Sequence, residues 1–131
     1  MIPNMSPDRA TPPAGALARL EKENVLWFAT VRPDGRPHLV PLSFVWSDEK
    51  IYLCIQSSSV KARNLRLNPK VVFALQDGSD PLIGQGEASP VPPPWPAKVR
   101  AAFLRKLDWD IAPDSEYDQL IEVVLSKWVV W

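Results

Sequence analysis

The chain has 131 residues, 46% hydrophobic and 23% charged, with fifteen cationic and fifteen anionic side chains and no formal net charge. That length fits one domain with a real core, the neutral balance argues against a nucleic-acid partner, and the single cysteine excludes an internal disulfide and a multi-cysteine zinc site. The N-terminus has no signal-peptide pattern and no apolar run approaches the roughly 20 residues that span a bilayer, so a cytoplasmic protein without a membrane partner is expected.

Fifteen prolines and six tryptophans are the unusual counts. Residues 1–13 are polar and proline-rich and read as a loose arm, which leaves residues 14–131 as one domain. Residues 14–24 predict a short amphipathic helix, with Leu17 and Leu20 as its apolar pair. Residues 25–31 predict a strand dense in β-formers, among them Val25, Trp27, Phe28, Thr30 and Val31. Pro33-Asp34-Gly35 follows as a turn. A second strand is expected over residues 38–46, with Leu39, Pro41 and Ser43 on one face and Val40, Leu42 and Phe44 on the other. The polar run Ser47-Asp48-Glu49-Lys50 turns into a third strand, 51–55, and the three strands are expected to pair as an antiparallel meander.

A helix over 60–67 comes next and stops before Asn68-Pro69, where the proline ring blocks continuation. Strands are expected over 71–75 and 83–88. The proline-rich loop 90–96 carries Trp95, which reads either as a binding lid or as a plug. A helix over 97–107 repeats Val99, Phe103 and Leu107 at a four-residue step. A polar connection, 108–116, leads to two closing strands, 120–125 and 128–131. Six or seven strands with few helices predict a mainly β chain curled into a small antiparallel barrel.

The chemistry concentrates in Ser57-Ser58-Ser59-Val60-Lys61-Ala62-Arg63-Asn64-Leu65, where a strand hands over to a helix. Helix N-terminal amides lack intrahelical partners and carry partial positive charge, so hydroxyls and a lysine beside them suit a phosphate. The plainer alternative is a loop with a serine N-cap and a solvated lysine. Asn64 reads as a ligand contact or as a local brace, Arg63 and Arg66 as surface charges, and Cys54 as a small buried hydrophobe. Gln85-Gly86 is either a close-packing strand feature or part of a site. No G-x-S-x-G elbow, Walker-type loop or G-x-G-x-x-G occurs, and one histidine makes a poor triad candidate. No catalytic side chain is assigned.

Four segments in consistent order carry a family resemblance: FATVRPDGRPHLVPLSFVW (28–46), IYLCIQSSSVKARNLRLNPKVVFAL (51–75), GQGEA (84–88) and KWVVW (127–131). With them the chain resembles the flavin-binding split-barrel family related to pyridoxamine 5′-phosphate oxidase. The resemblance implies a six- to seven-stranded antiparallel split β-barrel, a homodimer with the cofactor at the subunit interface, and an FMN-dependent oxidoreductase acting on a small-molecule substrate. It implies a phosphate held by Ser57, Ser58, Ser59 and Lys61, with Asn64 close by. The strand bearing His38, Val40, Pro41 and Ser43 would lie along the flavin ring and ribityl chain. Cys54 and Ile55 would offer backbone contacts, and the region around Gln85 and Trp128 would cover the ring from the partner subunit; the plainer reading of Trp128 is a filler of the core or dimer seam.

The oxidase itself places basic residues at the positions matching His38, Ser43 and Val60, and of these only His38 can carry charge here. It also has a tail beyond the position of Trp131, so oxidation of pyridoxamine phosphate is not expected of this chain. The pattern K-x-R-N-L, present at residues 61–65, is similar to that of members using a deazaflavin coenzyme. Related barrels bind haem through a histidine, a role open only to His38. The resemblance therefore implies three readings: an FMN-dependent oxidoreductase, a deazaflavin-dependent reductase, or a non-enzymatic flavin- or haem-binding dimeric module.

Overall fold

The computed structural model describes residues 11–129, over which three helices and seven strands follow one another. Most of the expected N-terminal arm (residues 1–10) and the end of the expected closing strand (residues 130–131) lie outside the described residues. Helix α1 (Ala16–Lys22) leads into strands β1 (Val25–Val31), β2 (Pro37–Ser43), β3 (Val45–Ser47) and β4 (Lys50–Ile55). Helix α2 (Val60–Leu67), strands β5 (Lys70–Leu75) and β6 (Ile83–Val91), helix α3 (Ala97–Leu107) and strand β7 (Gln119–Val129) complete the order. The helices over 60–67 and 97–107 form with the bounds their sequence signals set. Helix α1 buries Ala16 and Leu20 rather than Leu17 and Leu20, because residues four apart share a face, and Leu17 is left half exposed.

All seven strands join one antiparallel sheet in the order β2-β1-β5-β6-β7-β4-β3. The expected meander is therefore corrected. The run 38–46 is not one strand; it breaks at Phe44, with β2 pairing only β1 and β3 pairing only β4. Phe44 is fully buried, so its ring anchors the chain in the core just where it passes from one sheet edge to the other. Because β2 and β3 are the two edges and also neighbours in sequence, the sheet must curl until its edges approach. The β3–β4 hairpin is tight: Asp48 and Glu49 both have positive φ (54° and 61°), as a two-residue turn that follows strand twist requires.

Strand parity then builds two cores. Leu26, Phe28, Ile51, Leu53, Ile55, Val71, Phe73, Leu75, Ile121, Val123 and Leu125 fill the concave side, capped by Leu20 of α1 and Leu65 of α2. On the convex side Val99, Ala102 and Phe103 of α3 pack on Val45, Tyr52, Cys54 and Leu120. Trp95 is buried in this second cluster, so the proline loop supplies a plug and not a lid. The two expected closing strands are one, β7, interrupted by a bulge: Gln85 pairs Lys127 and Gly86 pairs Leu125, leaving Ser126 without a partner across the ladder. The extra residue shifts the alternation, which is why Leu125 and Trp128 both point inward although they are three apart.

Lys106 ties the parts together. Its ammonium donates to the carbonyls of Leu20 and Phe44, both at 3.0 Å, and lies 3.8 Å above the Phe44 ring. Burial pushes its pKa down from 10.5 to about 8, against the opposing pull of Glu23 and Glu21. The unfolded chain takes up this proton near pH 10.5 and the folded chain only near 8, so the lysine makes stability rise with pH across that window. Lys106→Met is expected to abolish this rise while lowering stability at pH 7 by about 1–3 kcal/mol, since two carbonyls lose their donor. Urea denaturation of both proteins from pH 7 to 11 checks it; equal pH slopes would refute the assignment.

Candidate functional site

After Phe44 the two sheet edges diverge. The outer edge of β2 is unpaired, β4 continues on the far side, and the space between them is the split of the barrel. A cavity of about 370 Å³ lies there, lined by Pro41, Leu42, Ser43, Cys54, Trp109 and Tyr117. Trp109 stands edge-on to Tyr117 at 5.3 Å and to Phe103 at 5.7 Å, so the outer wall is a braced aromatic stack. The Cys54 thiol donates to the Tyr117 carbonyl at 3.3 Å. Burial, then the charge of Asp118, pushes its pKa up to about 12. Cys54 is thus an inert thiol in the wall and not a nucleophile.

Ile55 is buried in the concave core, and the chain leaves β4 there towards the serine run. Ser59 is the N-cap of α2, its hydroxyl accepting from the Ala62 amide at 3.2 Å. Ser57 is also engaged. Its amide donates to Asp118 Oδ1 at 2.8 Å and its hydroxyl to Asp118 Oδ2 at 2.7 Å, bonds that hold the carboxyl below its usual range. Ser58 is exposed, and neither its amide nor those of Val60 and Lys61 is taken by the described chain. Of the three serines, Ser58 keeps its donors free of the described chain, Ser59 shapes the helix start, and Ser57 is held by a carboxylate. Arg63 is exposed, and Arg66 reaches the Ser57 carbonyl at 3.4 Å.

Cations gather beside this helix start. Lys61 is partly buried, which lowers its pKa, and no carboxylate among the described residues pairs with it. On β2, His38 and Val40 lean inward while Pro41 and Ser43 face out, in keeping with the alternation expected of that strand. The imidazole of His38 has its pKa lowered by burial and then by the charges of Arg32 and Lys61, and its Nδ1 is buried without a hydrogen-bond partner. A buried ring nitrogen and a partly desolvated ammonium, neither with a partner among the described residues, are both costly alone.

Asn64 is a brace. Fully buried, it donates from Nδ2 to Thr30 Oγ1 at 3.0 Å and so fixes α2 to β1 beneath His38, the cross-strand partner of Thr30. Asn64→Ala is expected to lower stability by about 1–3 kcal/mol, because the Thr30 hydroxyl stays buried without its donor. Adding Thr30→Val should recover part of that loss in denaturant melts; strict additivity of the two would refute the pairing.

Gln85 and Trp128 do not share a face. Gln85 looks outward beside Val72 and helps line a groove of about 560 Å³ with Pro37, Lys70, Glu87 and Ser126. Trp128 is buried in the concave core, edge-on to Phe73 at 5.7 Å, with its Nε1 unpartnered. In this fold Trp128 is a core side chain, and of the two only Gln85 faces outward. Outward too are Trp27, Leu39 and Val72, exposed by 39%, 60% and 40%, an apolar stripe across three adjacent strands. Sequence reasoning missed Arg32, Thr30, Asp118 and the Trp109–Tyr117 wall; the Arg32 and Thr30 signals lay in the β1–β2 register, those of the others in the β4–β7 register.

Among the described residues no group of three or more His, Cys, Asp or Glu side chains could hold a metal ion, and no helix is long and apolar enough to cross a membrane. The start of α2 thus brings together the free amides of Ser58, Val60 and Lys61 and the Lys61 ammonium.

Solved structures share the fold. A conserved hypothetical protein from Mycobacterium tuberculosis superposes with a TM-score of 0.72 at 22% identity, over 92% of this chain and 84% of its own. An F420 reductase gives 0.68 at 25% identity, over 89% of this chain and 98% of its own. HutZ, a haem storage protein from Vibrio cholerae, gives 0.70 at 20% identity, over 89% and 92%. No curated protein matches the sequence. The sequence itself matches the family described as pyridoxamine 5′-phosphate oxidase from residue 14 to residue 131, nearly its whole length, and the chain belongs to that family.

Proposed function

We propose that the chain is an oxidoreductase that binds a phosphorylated flavin-type coenzyme, FMN foremost, along the split between β2 and β4 and acts on a small molecule. The observation that carries this reading is that the charges of Lys61, in the first turn of α2, and of Arg32 both bear on His38, whose Nδ1 is buried without a described partner. Lys61 and the Ser58, Val60 and Lys61 amides hold the phosphate. His38 turns Nδ1 to it as a neutral donor, a tautomer consistent with its lowered pKa. Pro41, Ser43 and Cys54 flank the ring, and the Trp109–Tyr117 stack keeps water from one side of it. When bound, a flavin supplies the hydride and electron chemistry; the side chains bind, orient and dehydrate.

A second copy completes the site in this reading. The stripe of Trp27, Leu39 and Val72 continues to Gln85, and burying it against its twin would bring Gln85 over the split of the neighbour. A deazaflavin coenzyme is the second reading, favoured by Lys61, Arg63, Asn64 and Leu65 in the K-x-R-N-L pattern and by the likeness to an F420 reductase. The absorbance spectrum of the purified protein, with light scattering, tests all of this. Bands near roughly 370 and 450 nm and a dimer mass support the first reading. A colourless protein that takes up deazaflavin supports the second, and a monomer with affinity for neither defeats both.

A further inference from the structure

We propose that Asp118 tunes the response of the α2 nook to phosphate charge, weakening its hold on a doubly charged monoester more than on a singly charged diester. The inference rests on the coenzyme site described above and names the residue that tunes it. Its ground is the two-point bond from Ser57 to the Asp118 carboxylate, at 2.8 and 2.7 Å. These two donors point from the serine run and would otherwise serve a ligand oxygen. A carboxylate already holds them, so the nook carries a resident negative charge one residue from its free donors at Ser58, Val60 and Lys61.

Neighbouring contacts hold Asp118 in place. Glu116 accepts from Gln56 Nε2 at 2.9 Å, and the Tyr117 carbonyl accepts from the Cys54 thiol. Residues 116–118 are thereby laid along the end of β4, continuing the Ile55–Gln119 pairing. The backbone carrying Asp118 is fixed by that segment, and the two bonds from Ser57 hold its carboxylate. Its repulsion acts on any bound anion in proportion to the anion's charge, so a dianion is penalised twice as strongly, on a logarithmic scale, as a monoanion.

The test titrates wild type and Asp118→Asn with three probes by quenching of flavin fluorescence: FMN, the monomethyl ester of FMN, and riboflavin. Asn keeps the shape and the bond from the Ser57 amide but removes the charge. The variant is expected to bind FMN about tenfold more tightly, the methyl ester about threefold, and riboflavin unchanged. The FMN difference should also shrink as salt is raised, which a merely structural effect would not do. Equal shifts for all three probes, no shift, or weaker FMN binding would overturn the role of Asp118 alone. Failure of every probe to bind either protein would overturn the coenzyme site, and this inference with it.

Discussion

Lys61→Ala is expected to weaken FMN binding roughly tenfold or more, the worth of one charge-assisted contact of about 1.5–3 kcal/mol. The expectation rests on what Lys61 lacks. It is partly desolvated, no described carboxylate pairs with it, and its charge bears on His38, another potential cation. A lysine serving the fold would have a partner to lose. Here the ligand-free variant should melt no lower than wild type, because an uncompensated charge has been removed. The His38 pKa should move back towards 6.5, since the Lys61 charge is one of the causes holding it down. A fluorescence titration, a thermal melt and an NMR titration of the single histidine read these three effects. Unchanged affinity together with a lowered melting temperature would make Lys61 a structural residue and remove the main support for an anion site.

Much of this site was legible in the residues. The serine run, Lys61 and the helix bounds follow from local chemistry: a β-rich run, an N-cap, and a proline stop. Strand positions were legible for the same reason, because each apolar alternation is local. Pairing was not. That β1 sits between β2 and β5, and that β3 leaves β2 for the far edge, depends on closing the sheet and on burying Phe44. No local pattern around 38–46 marks that break, since Val40, Leu42, Phe44 and Val45 are all good strand formers. Asp118 was hidden for a related reason: it meets Ser57 only through the pairing of Ile55 with Gln119, 64 positions apart in chain order. Trp128 reads on the sequence either as a ring cover or as a core filler, and a single bulged residue, Ser126, turns it into the core.

That bulge is where the largest loss of stability is expected. A Cβ added to Gly86 would collide with the backbone carbonyl oxygen of Val124, with the Val124 carbonyl carbon at 3.0 Å and Leu125 Cα at 3.2 Å. All three obstacles are main chain of the adjacent strand. They can retreat only by opening the β6–β7 ladder beside its one irregularity. Gly86→Ala should therefore lower stability by about 3 kcal/mol, the upper end for overpacking. At Gly84 the obstacles are side chains, the Phe73 ring at 2.5 Å and Leu125 Cδ1 at 2.8 Å, which can adjust at the expense of core packing. Gly84→Ala should lose less. Gly78 has nothing within 4 Å, and Gly78→Ala should be neutral or slightly stabilising, because it restricts only the unfolded chain. Urea melts of the three variants should rank them in that order. If Gly86→Ala were as stable as Gly78→Ala, the close approach of β6 to β7 would have slack, and the inward turn of Trp128 and the outward turn of Gln85 would no longer follow from the bulge.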